Sequence, residues 1–164
     1  VKFVKTFIIS LFCFFLLNCS SGASYNQQQE VKVEVLKLLE REYKQPFKLE
    51  KFKYEYKTHY PNASGNVPYE TFGTYYFKVQ AVNNPIVVMD FRINDGLATK
   101  DSINGLIESF KKTQLKDLYC LGLAQHYVNE KKLLTDKLTK QELQANEYCD
   151  SIGQKKVYDN AWTR

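Results

Sequence analysis

The chain of 164 residues has only two histidines, His59 and His126, and none of the short motifs that gather catalytic groups. It lacks H-E-x-x-H, so no zincin-type metal site is expected, and it lacks G-x-S-x-G, a phosphate-binding glycine loop and C-x-x-C. No run of five lysines or arginines occurs, and a net charge of +5 is too small to suggest nucleic acid as a partner. Seven glycines and four prolines exclude a collagenous or Gly/Pro-rich disordered chain. The main apolar run, Phe7–Leu17, covers 11 residues, whereas a membrane-spanning helix needs about 20. No metal, cofactor or nucleic acid is therefore expected.

What is present is ordinary for a folded protein except in its rings. Hydrophobic residues make up 44% and charged residues 25%, as in a globular domain. There are 12 tyrosines and 11 phenylalanines, but Phe3, Phe7, Phe12, Phe14 and Phe15 stand at the start, so the later excess is mainly tyrosine.

Lys2 and Lys5 precede the apolar run, the charge order of a secretory signal peptide. The run ends in Leu16-Leu17-Asn18-Cys19-Ser20-Ser21. Leu16, three residues before Cys19, makes this stretch resemble the lipobox of bacterial lipoproteins, although Asn18 stands where Gly, Ala or Ser is usual. General secretory cleavage within Ser20–Ser24 is the competing reading, and in a eukaryotic secreted protein Asn62-Ala63-Ser64 would be a glycosylation sequon. The resemblance covers residues 1–21 and implies a lipid on Cys19 as the mature N-terminus. Two or more acyl chains would hold the protein stably at a membrane. Ser20 after the cysteine, rather than Asp, implies an outer-membrane location facing the periplasm. Removal of residues 1–18 leaves 146 of the 164, about one domain, and takes away Lys2 and Lys5, so the charge falls from +5 to about +3.

Residues 19–29 are rich in Ser, Gly, Asn and Gln without an apolar period, which predicts a flexible tether. From 30 to 164 a single α+β domain is expected: a helix and three-stranded antiparallel meander over 30–96, then a helical section over 97–164. Val31, Val35, Leu38 and Leu39 predict a helix over Glu30–Tyr43, ending before Pro46. Alternation predicts strands over Phe52–Tyr60, Thr74–Ala81 and Ile86–Ile93. Phe47 and Leu49 have the opposite parity to Phe52, so a bulge near Glu50-Lys51 is required to keep one face apolar. Asn94-Asp95-Gly96 carries turn chemistry, without the later acidic ligands of a calcium loop. Ile103, Leu106, Ile107 and Phe110 predict a helix capped by Asp101, and Leu115–Glu130 a buried one that Leu121-Gly122-Leu123 makes less regular. Thr139 and Glu142 have capping-box spacing, with Leu138 and Leu143 at the staple positions and Ile152-Gly153 at the helix end. The helix-plus-meander outline is similar to small cystatin-like and PepSY-like envelope domains, an outline that carries no function.

Cys120 and Cys149, each on an expected helix, form an even pair that an oxidising periplasm would bond. His59 alternates onto the polar face of its strand, and His126 follows Cys120 by six residues, which on a helix points the two apart. The candidate partner-binding residues are Tyr60, Tyr69, Phe72, Tyr75 and Tyr76, rings crowded on the first long connection and its flanks. The expected function is a non-catalytic, membrane-anchored lipoprotein binding an envelope or secreted protein, as an inhibitor or immunity-type protein or as an accessory subunit. A small hydrolase of wall or lipid, built on His59 or His126 with an acid or Cys120, is the alternative; a structural envelope protein is a third. Replacing the lipid-bearing thiol tests the anchor: Cys19→Ala should release the protein from membranes and abolish lipid labelling, and unchanged membrane association would sink it.

Overall fold

The domain begins on a helix that starts earlier than its apolar pattern. The computed structural model describes residues 22–59, 70–95, 103–133, 135–159 and 161. Cys19, Tyr60, Tyr69, Asp101 and Trp162 lie outside the described residues. Helix α1 spans Tyr25–Tyr43, so residues 25–29 of the expected tether are helical. Ser24 is the cause: its hydroxyl accepts from the Gln27 N–H, and the Gln27 side chain accepts from the Ser24 N–H at 2.8 Å. This reciprocal cap satisfies the first free donors of the helix where apolar periodicity is absent. Val31, Val35, Leu38, Leu39 and Tyr43 form the buried stripe. Lys44 ends the helix in the left-handed conformation, with φ of 52°.

The expected antiparallel meander follows, as β1 (Phe47–His59), β2 (Glu70–Ala81) and β3 (Val88–Asn94) in the order β1-β2-β3. The register shifts between Leu49 and Lys51, where the parity of Phe47 and Leu49 demanded a bulge. It leaves Leu49 opposite Val79 and Phe52 opposite Phe77, so both halves of β1 turn apolar residues toward the core. Phe77 in turn faces Phe91 on β3. The rings form one row: Phe52 meets Phe77 edge-on at 5.1 Å, Phe77 stacks on Phe91 at 5.2 Å, and Phe91 stacks on Phe110 at 5.3 Å.

Phe110 ends helix α2 (Ile103–Phe110), which runs into a wider π-helical turn at Lys111–Leu115 before α3 (Leu118–Asn129). The expected helix from Leu115 therefore begins three residues later, at Leu118. Tyr43 closes the wide turn, its hydroxyl donating to the Leu115 carbonyl and accepting from the Tyr119 N–H at 3.2 Å. Gly122 lets α3 press on β3: a Cβ at this position would stand 2.9 Å from the Val88 carbonyl oxygen. Leu121-Gly122-Leu123 thus marks close packing rather than a helix break.

Helix α4 (Lys140–Ser151) has the expected capping box of Thr139 and Glu142 and ends at Ile152-Gly153; α5 (Lys155–Asp159) follows. Of the staple pair, Leu138 packs on the core, whereas Leu143 is 47% exposed. A disulfide joins Cys120 on α3 to Cys149 on α4, with Cα atoms 5.8 Å apart and both residues fully buried. It closes a separation of 29 residues, a constraint of about 3–4 kcal/mol in the chain-entropy account. Urea unfolding of the oxidised protein and of a Cys120→Ala/Cys149→Ala variant should differ by about that amount, the variant being less stable; equal midpoints would show that the bond constrains nothing.

Candidate functional site

The core-facing side of the sheet is covered by helix; among the described residues no element covers its other side, although Thr74 on that side is buried, and strand parity decides what stands there. Lys51, Lys53, Glu55 and Lys57 on β1, Phe72, Tyr76 and Lys78 on β2, and Asp90 and Arg92 on β3 all point away from the apolar row. Tyr76 lies at the centre, opposite Lys53 on one side and Arg92 on the other. Lys51 and Lys78 face each other, with Asp90 beyond. A shallow groove of about 300 Å³ runs between Lys51, Lys53, Glu55, Tyr76, Lys78 and Asp90.

The charges on this face do not cancel. Glu55 is held between Lys53 and Lys57, the latter at 3.1 Å, and hydrogen bonds from these two ammonium groups pull its carboxyl down to about 2. Among the described residues, Lys51 and Arg92 have no ion-pair partner. An ionised Glu55 therefore organises part of the positive surface without neutralising it. The chemistry available is recognition: a central phenol ring with a polar tip, flanked by exposed cations.

The ring residues proposed from the sequence divide. Phe72 is 37% exposed and Tyr76 half-buried, both on the open face. Tyr75 is 2% exposed, turned inward beside Tyr54 at 4.7 Å between ring centres. It is a core residue, because strand alternation puts neighbouring tyrosines on opposite faces. Tyr60 and Tyr69 lie outside the described residues, and for His59 only its place at the end of β1 is described.

The second histidine has a different partner from the one weighed in the sequence. Cys120 is bonded to Cys149, so it offers no thiol, and His126 Nε2 meets Glu142 Oε1 at 3.0 Å. Glu142 Oε2 accepts from the Thr139 N–H at 2.7 Å and lies 3.4 Å from Lys132 Nζ. Burial raises the carboxyl of Glu142, but the Thr139 N–H, His126, the Thr139 hydroxyl and Lys132 together outweigh it and hold the group at about 2. Both oxygens are engaged and the residue is 1% exposed, which makes it a clasp between α3 and the start of α4. The sequence showed Glu142 as a cap; nothing in spacing showed that His126 and Lys132 converge on it.

A second polar clasp was also hidden. The Tyr54 hydroxyl accepts from the Ala23 N–H at 2.8 Å and donates to Asp95 Oδ2 at 2.9 Å, while Asp95 Oδ1 accepts from the Gly73 N–H at 2.8 Å. It ties the lead into α1 to the end of β3. Glycine at 73 is required by the approach, since a Cβ there would lie 2.1 Å from the Tyr54 oxygen. Among the described residues there is no group of three or more His, Cys, Asp or Glu placed to hold a metal, and no helix long and apolar enough to cross a membrane.

No protein family matches the chain, no curated protein matches it, and no solved structure matches it. Its functional reading rests on its own residues.

The Glu142 clasp carries a pH dependence. Its carboxyl is lower in the folded chain than the ordinary 4.5, so its contribution is complete above about 4.5 and is lost as pH falls toward 2. Glu142→Gln should lower stability at pH 7 by about 1–3 kcal/mol and flatten the acid limb of the stability curve. Urea unfolding across that pH range checks both; an acid limb as steep as in the native chain would rule out an ionised clasp.

Proposed function

We propose that the chain is a non-catalytic, lipid-anchored envelope protein that binds an acidic protein partner through the open face of its sheet. The observation that carries this reading is the juxtaposition of Tyr76 with Lys51, Lys53, Lys78 and Arg92 on one face of the sheet, which no helix among the described residues covers. A phenol ring offers contact area at small entropic cost, and surrounding cations steer a partner of opposite sign. The engagement of Cys120 in a disulfide and of His126 with Glu142 supports a binding role over the hydrolase built on those groups. An inhibitor or immunity-type protein is the sharpest version, and an accessory subunit of an envelope assembly the broader one. The anchor comes from the resemblance of Leu16–Ser21 to a lipobox, which implies the periplasmic face of the outer membrane.

Capture from envelope extracts compares the native chain with a Lys51→Glu/Lys78→Glu/Arg92→Glu variant and with Tyr76→Ala. One partner should be recovered by the native chain, fall away as salt rises, and be at least about tenfold depleted with either variant. Equal recovery by all three would remove the open face from consideration. Tyr75 is left intact, because its replacement would disturb the core rather than a surface.

A further inference from the structure

The two edges of the sheet are finished differently. On β3, the Ala81 N–H donates to the Val87 carbonyl, so the Val88 carbonyl points the other way, onto α3 at Gly122. The other edge, β1, is 13 residues long, and among the described residues no strand pairs with its outer side. The direction of its main-chain groups follows from β2. Gly73 turns both of its groups toward β3, accepting from the Asp95 N–H at 3.0 Å and donating to Asp95 Oδ1 at 2.8 Å. Tyr56 stands opposite Gly73, so its N–H and C=O point outward, and alternation turns those of Tyr54 and Phe52 outward too. Gly22, in the lead into α1, lies against the Tyr54 and Tyr56 side chains, yet among the described residues no hydrogen bond reaches these main-chain groups.

A long edge with unpaired main-chain groups is a template for another strand, and its side chains select which one. On the open face β1 carries Lys51, Lys53, Glu55 and Lys57; on the other it carries Phe52, Tyr54 and Tyr56, each only partly buried. A second copy of β1 would set three lysines and one glutamate against the same set, a contact between like charges. A wholly apolar strand would leave those lysines without partners, which is how edge lysines discourage aggregation. A strand alternating acidic and apolar residues satisfies both faces. Its acids meet the lysines, and its apolar side chains extend the ring row beyond Phe52.

We propose that β1 is a strand-addition site: the acidic protein partner supplies an extended segment that pairs antiparallel with residues 52–58 and becomes the fourth strand of the sheet. The sign of the partner rests on the reading of the open face; the mode of attachment goes beyond it. Main-chain pairing supplies the affinity, and alternate side chains supply the specificity. Acids fall opposite Lys57, Lys53 and Lys51, with a neutral residue opposite Glu55, because that carboxylate already lies between two lysines. Arg92 stands three strand spacings, about 14 Å, from the added strand, beyond the screening length of about 8 Å, so it contributes little to holding the segment.

The peptide acetyl-Val-Glu-Val-Thr-Val-Glu-Val-Glu-amide tests the site, its valines falling opposite Thr58, Tyr56, Tyr54 and Phe52 in antiparallel register. Fluorescence anisotropy with the full chain should show saturable binding, with a Kd of about 100 µM or below. N-methylation of the valines, whose N–H groups face β1, should weaken binding at least about tenfold. N-methylation of the Glu and Thr residues, whose N–H groups face away, should leave it within about threefold. A peptide with Lys in place of Glu should bind at least about tenfold more weakly, whereas Arg92→Glu in the chain should change affinity less than about twofold. These peptide changes leave the protein native, so folding does not enter. Amide hydrogen exchange locates the contact: saturating peptide should slow exchange at Phe52, Tyr54 and Tyr56 at least about tenfold. Absence of saturable binding, equal loss from both methylated peptides, or binding without that slowing would each overturn strand addition. So would a dimeric free chain in which those three amides are already protected, which would give the edge to a second copy. In each case the open face is still judged by the capture experiment. Conversely, unchanged partner recovery with Tyr76→Ala and with the triple charge reversal would sink the face, while slowed exchange at β1 would keep the edge.

Discussion

One row of phenylalanine rings sets the geometry on which the rest depends. Phe52, Phe77 and Phe91 sit directly opposite one another across three strands, and Phe110 continues the row onto a helix. Strand parity is absolute, so fixing these rings inward fixes every neighbouring side chain outward. The bulge between Leu49 and Lys51 is the one adjustment needed to bring Phe47 and Leu49 onto the same side. Lys51, Lys53, Tyr76, Lys78 and Arg92 share the open face because the phenylalanines share the closed one. The positive surface is thus a consequence of the core register, and Phe77 links the two as part of the floor of the groove.

Around that layer the chain uses polar groups as clasps, each at a place where backbone would otherwise be left without partners. Tyr54 and Asp95 fasten the lead into α1 at one end of the sheet; Tyr43 fastens the π-helical turn at the other. Glu142 fastens α4 to α3 through its own capping box, His126 and Lys132. In all three, the donors and acceptors are matched and at least partly withdrawn from water, where an unmatched polar group would be costly. Gln45 and Asn84 are matched less fully: both stand beside the Tyr119 hydroxyl, whose single proton can serve one of their two enclosed oxygens.

Much of this was legible in residue order, because periodicity reports burial directly. Alternation located three strands, parity demanded the bulge, and Thr139-x-x-Glu142 located the last long helix. The start of α1 was missed for the complementary reason: its first turn is polar, and Ser24-x-x-Gln27 caps it without an apolar residue in the pattern. Tyr75 was grouped with Tyr76 by nearness in sequence, whereas a strand sends such neighbours to opposite sides. Residues that converge from distant segments left no local trace. His126 and Lys132 reach Glu142 across a helix boundary, and Gln45 and Asn84 meet Tyr119 from separate turns. Local order fixes which side of an element a residue occupies; which elements then face each other is decided by packing.

The earlier start of α1 also changes how an anchored protein would present itself. With helix from Tyr25 and Ala23 bound to Tyr54, a lipid on Cys19 would lie four residues before the first fastened position, a reach of at most about 14 Å. A link that short cannot let the domain tumble freely above a bilayer. The Ala23 end of α1 would then be held close to the lipid. The helix's 19 residues span about 28 Å, which sets the Tyr43 end on the far side. A lipid on Cys19 would thus do more than localise the chain: it would set the Ala23 end of α1 toward the bilayer and the Tyr43 end away from it.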